Sequence, residues 1–182
     1  KELVKTFEKL PKKEKKMVEE CITKKTNTNF GTKHENIAVK KYMEQTGDEV
    51  KLVEKFFKKD IFKTKNNNVW SIGGKIDGIN KDNVLIEIKN RVKRLFYKLR
   101  DYEKIQVYAY MNILNLDNAK LVENYKTNNN CDINIIDISY DSNYWETEIE
   151  SKLGKFIKQF EKFINDKSKK IELITKLCTS LS

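Results

Sequence analysis

The chain has 182 residues, 38% of them hydrophobic, with 9 Phe, 8 Tyr and 2 Trp; this apolar content suffices for one sizeable core and excludes both a disordered chain and two well-built domains. Lys+Arg 37 against Asp+Glu 27 leaves a net charge of +10 and a pI near 9.3, which favours a polyanionic partner, nucleic acid ahead of an anionic membrane surface. Apolar runs of only a few residues exclude a membrane-spanning helix and no secretory leader is visible; the widely spaced Cys21, Cys131 and Cys178 exclude a disulfide framework or a four-cysteine metal site, so an intracellular, reducing compartment is expected.

Pro11 stands where a helix opens, and Lys, Glu, Met, Val and Ile at helical spacing predict a helix over 12–25. The polar run 26–29 predicts a loop, and a second helix is expected over 32–46, with Ile37, Ala38 and Tyr42 as its inner stripe and Gly47 at its end. Residues 50–57, 69–77 and 84–89 read as three strands, rich in β-branched and aromatic residues, with polar turns at 65–68 and 80–83. The last two of these are expected to form a hairpin. A helix over 101–116 carries Ile105, Val107, Ala109, Met111 and Leu114, and strands at 119–125 and 133–140 flank a turn at 127–130. A long helix closes the chain, and its stripe of Ile149, Leu153, Phe156, Ile157, Phe160, Phe163 and Ile164 is expected to pack onto the sheet. This order of elements predicts an α/β fold with a mixed central β-sheet flanked by helices.

The chemistry concentrates in Gly74-Lys75-Ile76-Asp77-Gly78-Ile79 and Val84-Leu85-Ile86-Glu87-Ile88-Lys89. Strand alternation turns Val84, Ile86 and Ile88 toward a core and sets Glu87 and Lys89 together on the other face. Asp77 ends the preceding strand, where the expected hairpin would bring its carboxylate beside Glu87. Two close carboxylates supply the hard oxygen ligands that Mg²⁺ or Mn²⁺ prefers, and a neighbouring lysine can orient a water and offset charge in a phosphodiester transition state. The competing interpretation is an amphipathic strand whose outer face carries an exposed Glu–Lys pair.

An Asp at a strand end, a short gap and Glu-x-Lys in an apolar strand resemble the motif of the PD-(D/E)XK nucleases, matched here by Asp77, Glu87 and Lys89. Ile76 stands before the Asp, as in RecB-like members. Phe30-Gly31-Thr32-Lys33-His34-Glu35 resembles the Gly-x-x-x-Glu helix of the phage lambda exonuclease and YqaJ viral recombinase group, and Gln106-Val107-Tyr108-Ala109-Tyr110 resembles the Gln-x-x-x-Tyr of RecB-like enzymes. The resemblance covers residues 30–116. It implies a restriction-endonuclease-like fold and a metal-dependent DNA nuclease of viral or phage recombination, repair or defence, an exonuclease ahead of an endonuclease. It further implies Mg²⁺ or Mn²⁺ held by Asp77, Glu87 and the carbonyl of Ile88, with Glu35 as an additional metal-associated acid. Lys89 would support the nucleophile, Gln106 would bond the water, the phosphate or Lys89, and Tyr110 would brace the site or touch the DNA backbone. His34, one residue before Glu35, would face DNA. Thr32-x-x-Glu35 also fits a capping box, in which Glu35 merely satisfies a helix N-terminus.

Arg91, Lys93, Arg94, Lys98 and Arg100 follow the motif with no acid among them and with Phe96 and Tyr97 between. Such a run is expected to grip phosphates while its aromatics stack on unpaired bases. DNA, as a duplex end or a single strand, is thus the expected partner. Lambda-type members form rings that thread DNA, which leaves a homo-oligomer open. The chain is read as one nuclease domain over 1–182, with an N-terminal helical segment at 1–29, a motif-bearing core at 30–116, and closing strands and helix at 117–182. The alternatives are a non-catalytic nucleic-acid-binding module on the same fold and a basic membrane-surface protein.

Overall fold

The computed structural model describes residues 11–65, 67–126 and 130–181, with the side chains of 24–34, 173 and 176–181 left aside. Helix α1, Lys12–Thr46, opens after Pro11 and runs unbroken through the polar run at 26–29. The two expected helices are therefore one, and the expected boundary at residue 29 falls inside it. Asn and Thr are only mildly poor helix formers and no proline interrupts them, while Gly31 costs about 1 kcal/mol relative to Ala, too little to break a helix held elsewhere by packing. Thr32 is consequently interior to α1, which removes the capping-box role for Glu35. Gly47 ends the helix at φ 74° with its amide N–H donated to the Met43 carbonyl at 2.9 Å, a left-handed cap that glycine adopts without Cβ strain.

Strands β1 (Val50–Leu52), β2 (Phe56–Lys63), β3 (Val69–Lys75), β4 (Gly78–Asn80) and β5 (Leu85–Arg91) precede α2 (Asp101–Leu114), then β6 (Asn118–Lys126) and β7 (Cys131–Ser139) follow. The chain closes with α3 (Ser142–Tyr144), a π-helical stretch at Trp145–Glu150, α4 (Ser151–Asn165) and α5 (Lys167–Leu181). One five-stranded sheet has the order β1-β4-β5-β6-β7; β5 and β6 are parallel and the other pairs antiparallel. The sheet is mixed, as expected.

The hairpin differs from the expectation. β3 pairs with β2 in a separate two-stranded sheet, not with β5. The segment expected as one strand at 50–57 is divided between β1 and β2, and β2 pairs along the whole of β3, with one register shift between Asp60 and Phe62, across a turn where Asn67 takes φ 60°. Periodicity identifies a strand, but partner choice depends on turn geometry and on which faces are buried. β4 is the short strand that pairs with β5, and Asn80 closes their turn by accepting the amide N–H groups of Asp82 and Val84 at 3.0 and 2.8 Å.

Both faces of β5 are covered. Ala38, Val39 and Tyr42 of α1 pack on Ile86, Ile88 and Val122, and Val107, Tyr108 and Met111 of α2 join Leu85 and Leu121 on the opposite side. Burying each Val, Leu, Ile or Met side chain among these contributes about 1.5–3 kcal/mol, so β5 is clamped between two helices. The closing helix corrects another expectation: its stripe is split. Ile149 and Ile157 are buried, but Phe156 stays exposed and Phe160 meets Trp70 of β3 edge-on at 5.7 Å. The β2–β3 hairpin thus takes part of the apolar face assigned to the sheet.

Candidate active site

The alternation along β5 follows the sequence, but α2 closes the second face against water. Glu87 is only 2% exposed. Its Oε1 accepts the Lys89 ammonium at 2.7 Å and the Gln106 Nε2 at 2.9 Å, while Lys89 Nζ also donates to Gln106 Oε1 at 2.9 Å. Gln106 therefore grips both members of the pair with its two amide ends, and its Nε2 donates to the Tyr110 hydroxyl at 3.2 Å. Gln106 and Tyr110 lie one turn apart on α2. Gly74 of β3 makes room for the tyrosine, since a Cβ there would sit 2.6 Å from the ring. An exposed surface pair is ruled out by this burial.

Asp77 lies where the chain leaves β3 for β4. Its Oδ2 accepts the amide N–H of Ile88 at 2.6 Å. The β4–β5 ladder ends at Gly78↔Ile86, so the amide of Ile88 has no strand partner on that side and Asp77 takes it. Glu35, a turn before Ala38 and Val39 on α1, is hydrogen-bonded to Asp77 and feels the charge of Glu87. Three carboxylates, from α1, the β3–β4 connection and β5, thus face one ammonium.

The electrostatics follow from that count. Burial first, then the charge of Asp77, pushes the Glu87 carboxyl up to about 7 against the opposing charge and hydrogen bond of Lys89. Glu35 rises to about 7 through burial, its hydrogen bond to Asp77 and the charges of Asp77 and Glu87. Burial works to lower Lys89, but Glu87 and Asp77 outweigh it and hold the ammonium above its ordinary range. Among the described residues no three His, Cys, Asp or Glu side chains form a ready-made cation cage. Mg²⁺ does not require one, because it keeps several waters and binds through one or two carboxylates. The donor set fits such an ion: oxygen ligands, surplus negative charge, and a Glu87 Oε2 that is buried without a hydrogen-bond partner.

The sequence matches the family of the YqaJ-like viral recombinase domain over residues 1–114. The chain belongs to this family. Its fold is similar to the crystal structure of an alkaline exonuclease, LHK-Exo from Laribacter hongkongensis, at TM-score 0.57 and 20% identity, covering 86% of this chain and 76% of that one. The structure of LHK-Exo in complex with dAMP gives TM-score 0.58 at the same identity and coverage. At 20% identity this likeness speaks for the fold. No curated protein matches the sequence significantly.

In this YqaJ-like domain the basic run after β5 divides into two groups. Arg91 is corrected from a phosphate contact to a buried ion: it is 5% exposed and pairs with Glu103 at 2.7 Å and Glu123 at 2.7 Å. Arg100 is half-buried, donating to Glu103 at 2.6 Å and lying over the rings of Phe96 and Tyr102. Lys93, Arg94 and Lys98 stay exposed. The side chain of His34 lies outside the described residues. Glu103 and Glu123 were missed at the sequence level, yet Glu123 shares its strand parity with Ala119 and Leu121, and an acid on the inward parity of a buried strand must find a cation. Burial tends to raise Glu103, but hydrogen bonds from Arg91 and Arg100 prevail and hold it near 2.

Proposed function

We propose that this YqaJ-like domain is a metal-dependent DNA nuclease, an exonuclease ahead of an endonuclease, acting as one nuclease domain on duplex ends or single strands. The observation that carries the reading is the buried, unpartnered Glu87 Oε2 beside Asp77, Glu35 and a Lys89–Gln106 pair. Family membership and the likeness to an exonuclease that was solved with dAMP support it. Asp77 and Glu87 would hold Mg²⁺ or Mn²⁺, with the Ile88 carbonyl and Glu35 completing the donors. When bound, such an ion polarises the phosphate and lowers the pKa of a water toward neutrality.

The chain's own residues do the rest. Lys89, kept as an ammonium by Glu87, places a positive charge and N–H donors where the pentacovalent phosphate accumulates charge. Gln106 fixes the direction of that ammonium through Oε1, and Tyr110 in turn fixes Gln106. Helix α2 and the β5 strand, packed through Val107 and Leu85, hold these groups with the rigidity that positioning requires. The test is end-labelled linear duplex against a closed circle, in Mg²⁺, Mn²⁺ and EDTA, for the wild type and Glu87→Ala. Progressive loss of the linear end, abolished by EDTA and by the substitution, is expected; cutting of the circle would replace exonuclease with endonuclease, and DNA binding with no cleavage would leave a binding module.

A further inference from the structure

The segment between β5 and α2 folds around a carboxylate. Glu123 is fully buried; its Oε2 accepts the Tyr97 amide N–H at 2.8 Å and Asn134 Nδ2 at 3.0 Å, and both its oxygens accept the Phe96 amide N–H at 3.2 Å. Arg91 supplies the compensating charge from the same strand that carries Glu87 and Lys89. The Phe96 ring is half-buried, with the guanidinium groups of Arg91, Arg94 and Arg100 at 4.8, 6.0 and 4.5 Å from its centre. Tyr97 is the reverse case: it is 71% exposed and holds φ 56°. A bulky side chain in the left-handed region is strained, and the conformation persists only because the surrounding structure over-determines it. An exposed ring offers little packing to offset that strain, so the buried template under Tyr97 has to be explained by what the ring presents itself to.

It lines a cleft of about 510 Å³ together with Arg94, Leu95, Phe96 and Lys98 of the same loop, Tyr125 of β6 and Asp132 of β7. The volume falls within the range of small-ligand sites. The walls differ chemically: two cations lie on the loop side, and a carboxylate lies at the β7 end. A phosphate belongs with the cations. Asp132, whose Oδ1 accepts Asn130 Nδ2 at 2.7 Å, would repel a phosphate but can accept a hydrogen bond from an exocyclic amine, so its side of the cleft suits a base. We propose that this cleft takes one unpaired nucleotide of a DNA strand, its base stacked on Tyr97 with Tyr125 opposite and its phosphate met by Arg94 and Lys98. The assignment rests on the nuclease reading, and it makes Tyr97 a substrate-positioning residue on the loop that joins the Lys89 strand to the Gln106 helix.

The experiment uses a duplex with a single-stranded overhang carrying 2-aminopurine, whose fluorescence is quenched by stacking, bound in Mg²⁺ by protein in a Glu87→Gln background. Tyr97→Ala and Tyr97→Gly should abolish the quenching and weaken overhang binding about tenfold or more, whereas Tyr97→Phe should retain both. Tyr97→Gly should also hold or raise the thermal midpoint, because glycine accepts the left-handed backbone. Unchanged quenching and affinity in Tyr97→Ala, with wild-type protein still cutting DNA, overturns the cleft and leaves the nuclease reading intact. No binding together with no cleavage by the wild type overturns both.

Discussion

Glu87 and Glu103 are both buried acids facing β5 partners, and the fold treats them in opposite ways. Glu103 meets two guanidinium groups, from Arg91 and Arg100, and is held near 2 although burial favours its neutral form. Glu87 meets one ammonium and one amide, has two further acids nearby, and is pushed up to about 7 by burial and the charge of Asp77. Burial is common to the two, so the number and sign of the neighbours decides. The first arrangement is complete in itself and binds strand to helix; the second leaves negative charge and an unpartnered oxygen, the feature on which the proposed metal site rests.

The comparison is broken most sharply by exchanging charge at each centre. Glu87→Gln should reduce the initial rate of DNA cleavage roughly a thousandfold, the scale on which losing a group that stabilises transition-state charge acts; a variant retaining near wild-type rates would remove Glu87 from the chemistry. Arg91→Met takes from the buried Glu123 its ion-pair partner, leaves Glu103 with Arg100 alone, and should cost about 3–5 kcal/mol of stability in a urea titration. A loss under about 1 kcal/mol would show that the buried triad is not structural.

Acid should act on the two acids with opposite sign. Glu103 has a folded pKa near 2, below its ordinary 4.5, so its stabilisation is complete above 4.5 and is lost as pH falls through 2, an amount on the order of 3 kcal/mol. Glu103→Gln should flatten that acid limb in thermal melts. Glu87 is raised from 4.5 to about 7, so metal-free protein should lose stability as pH climbs across that interval. In EDTA, Glu87→Gln should therefore melt higher than wild type at pH 8 and about equally at pH 4, a gain of about 1–3 kcal/mol. Equal melting at both pH values would mean that Glu87 is not strained by its neighbours.

Local signals were legible where one residue type has one physical use. Gly47 stops α1, Asn80 makes its turn, and the alternation along β5 separates Ile86 and Ile88 from Glu87 and Lys89. The Gln106–Tyr110 spacing put both on one helix face, and α2 then carried that face to Glu87. Signals failed where the outcome depended on something distant in sequence. The polar run at 26–29 looks like a loop in isolation, but no proline or cap stops the helix there. β3 took β2 rather than β5, and Arg91 looked like part of an uninterrupted basic surface because its acids stand at 103 and 123.

The sequence by itself determined the α/β class, the strand bearing Glu87 and Lys89, and the family, because periodicity and motif spacing are properties of neighbouring residues. Only the tertiary structure decided that α2 would seal Glu87 from water, that Asp77 would reach the Ile88 amide, and that Glu123 would template the loop presenting Tyr97. Each of these depends on a desolvated charge finding, or failing to find, a partner across the core. That energy does not exist until the elements pack.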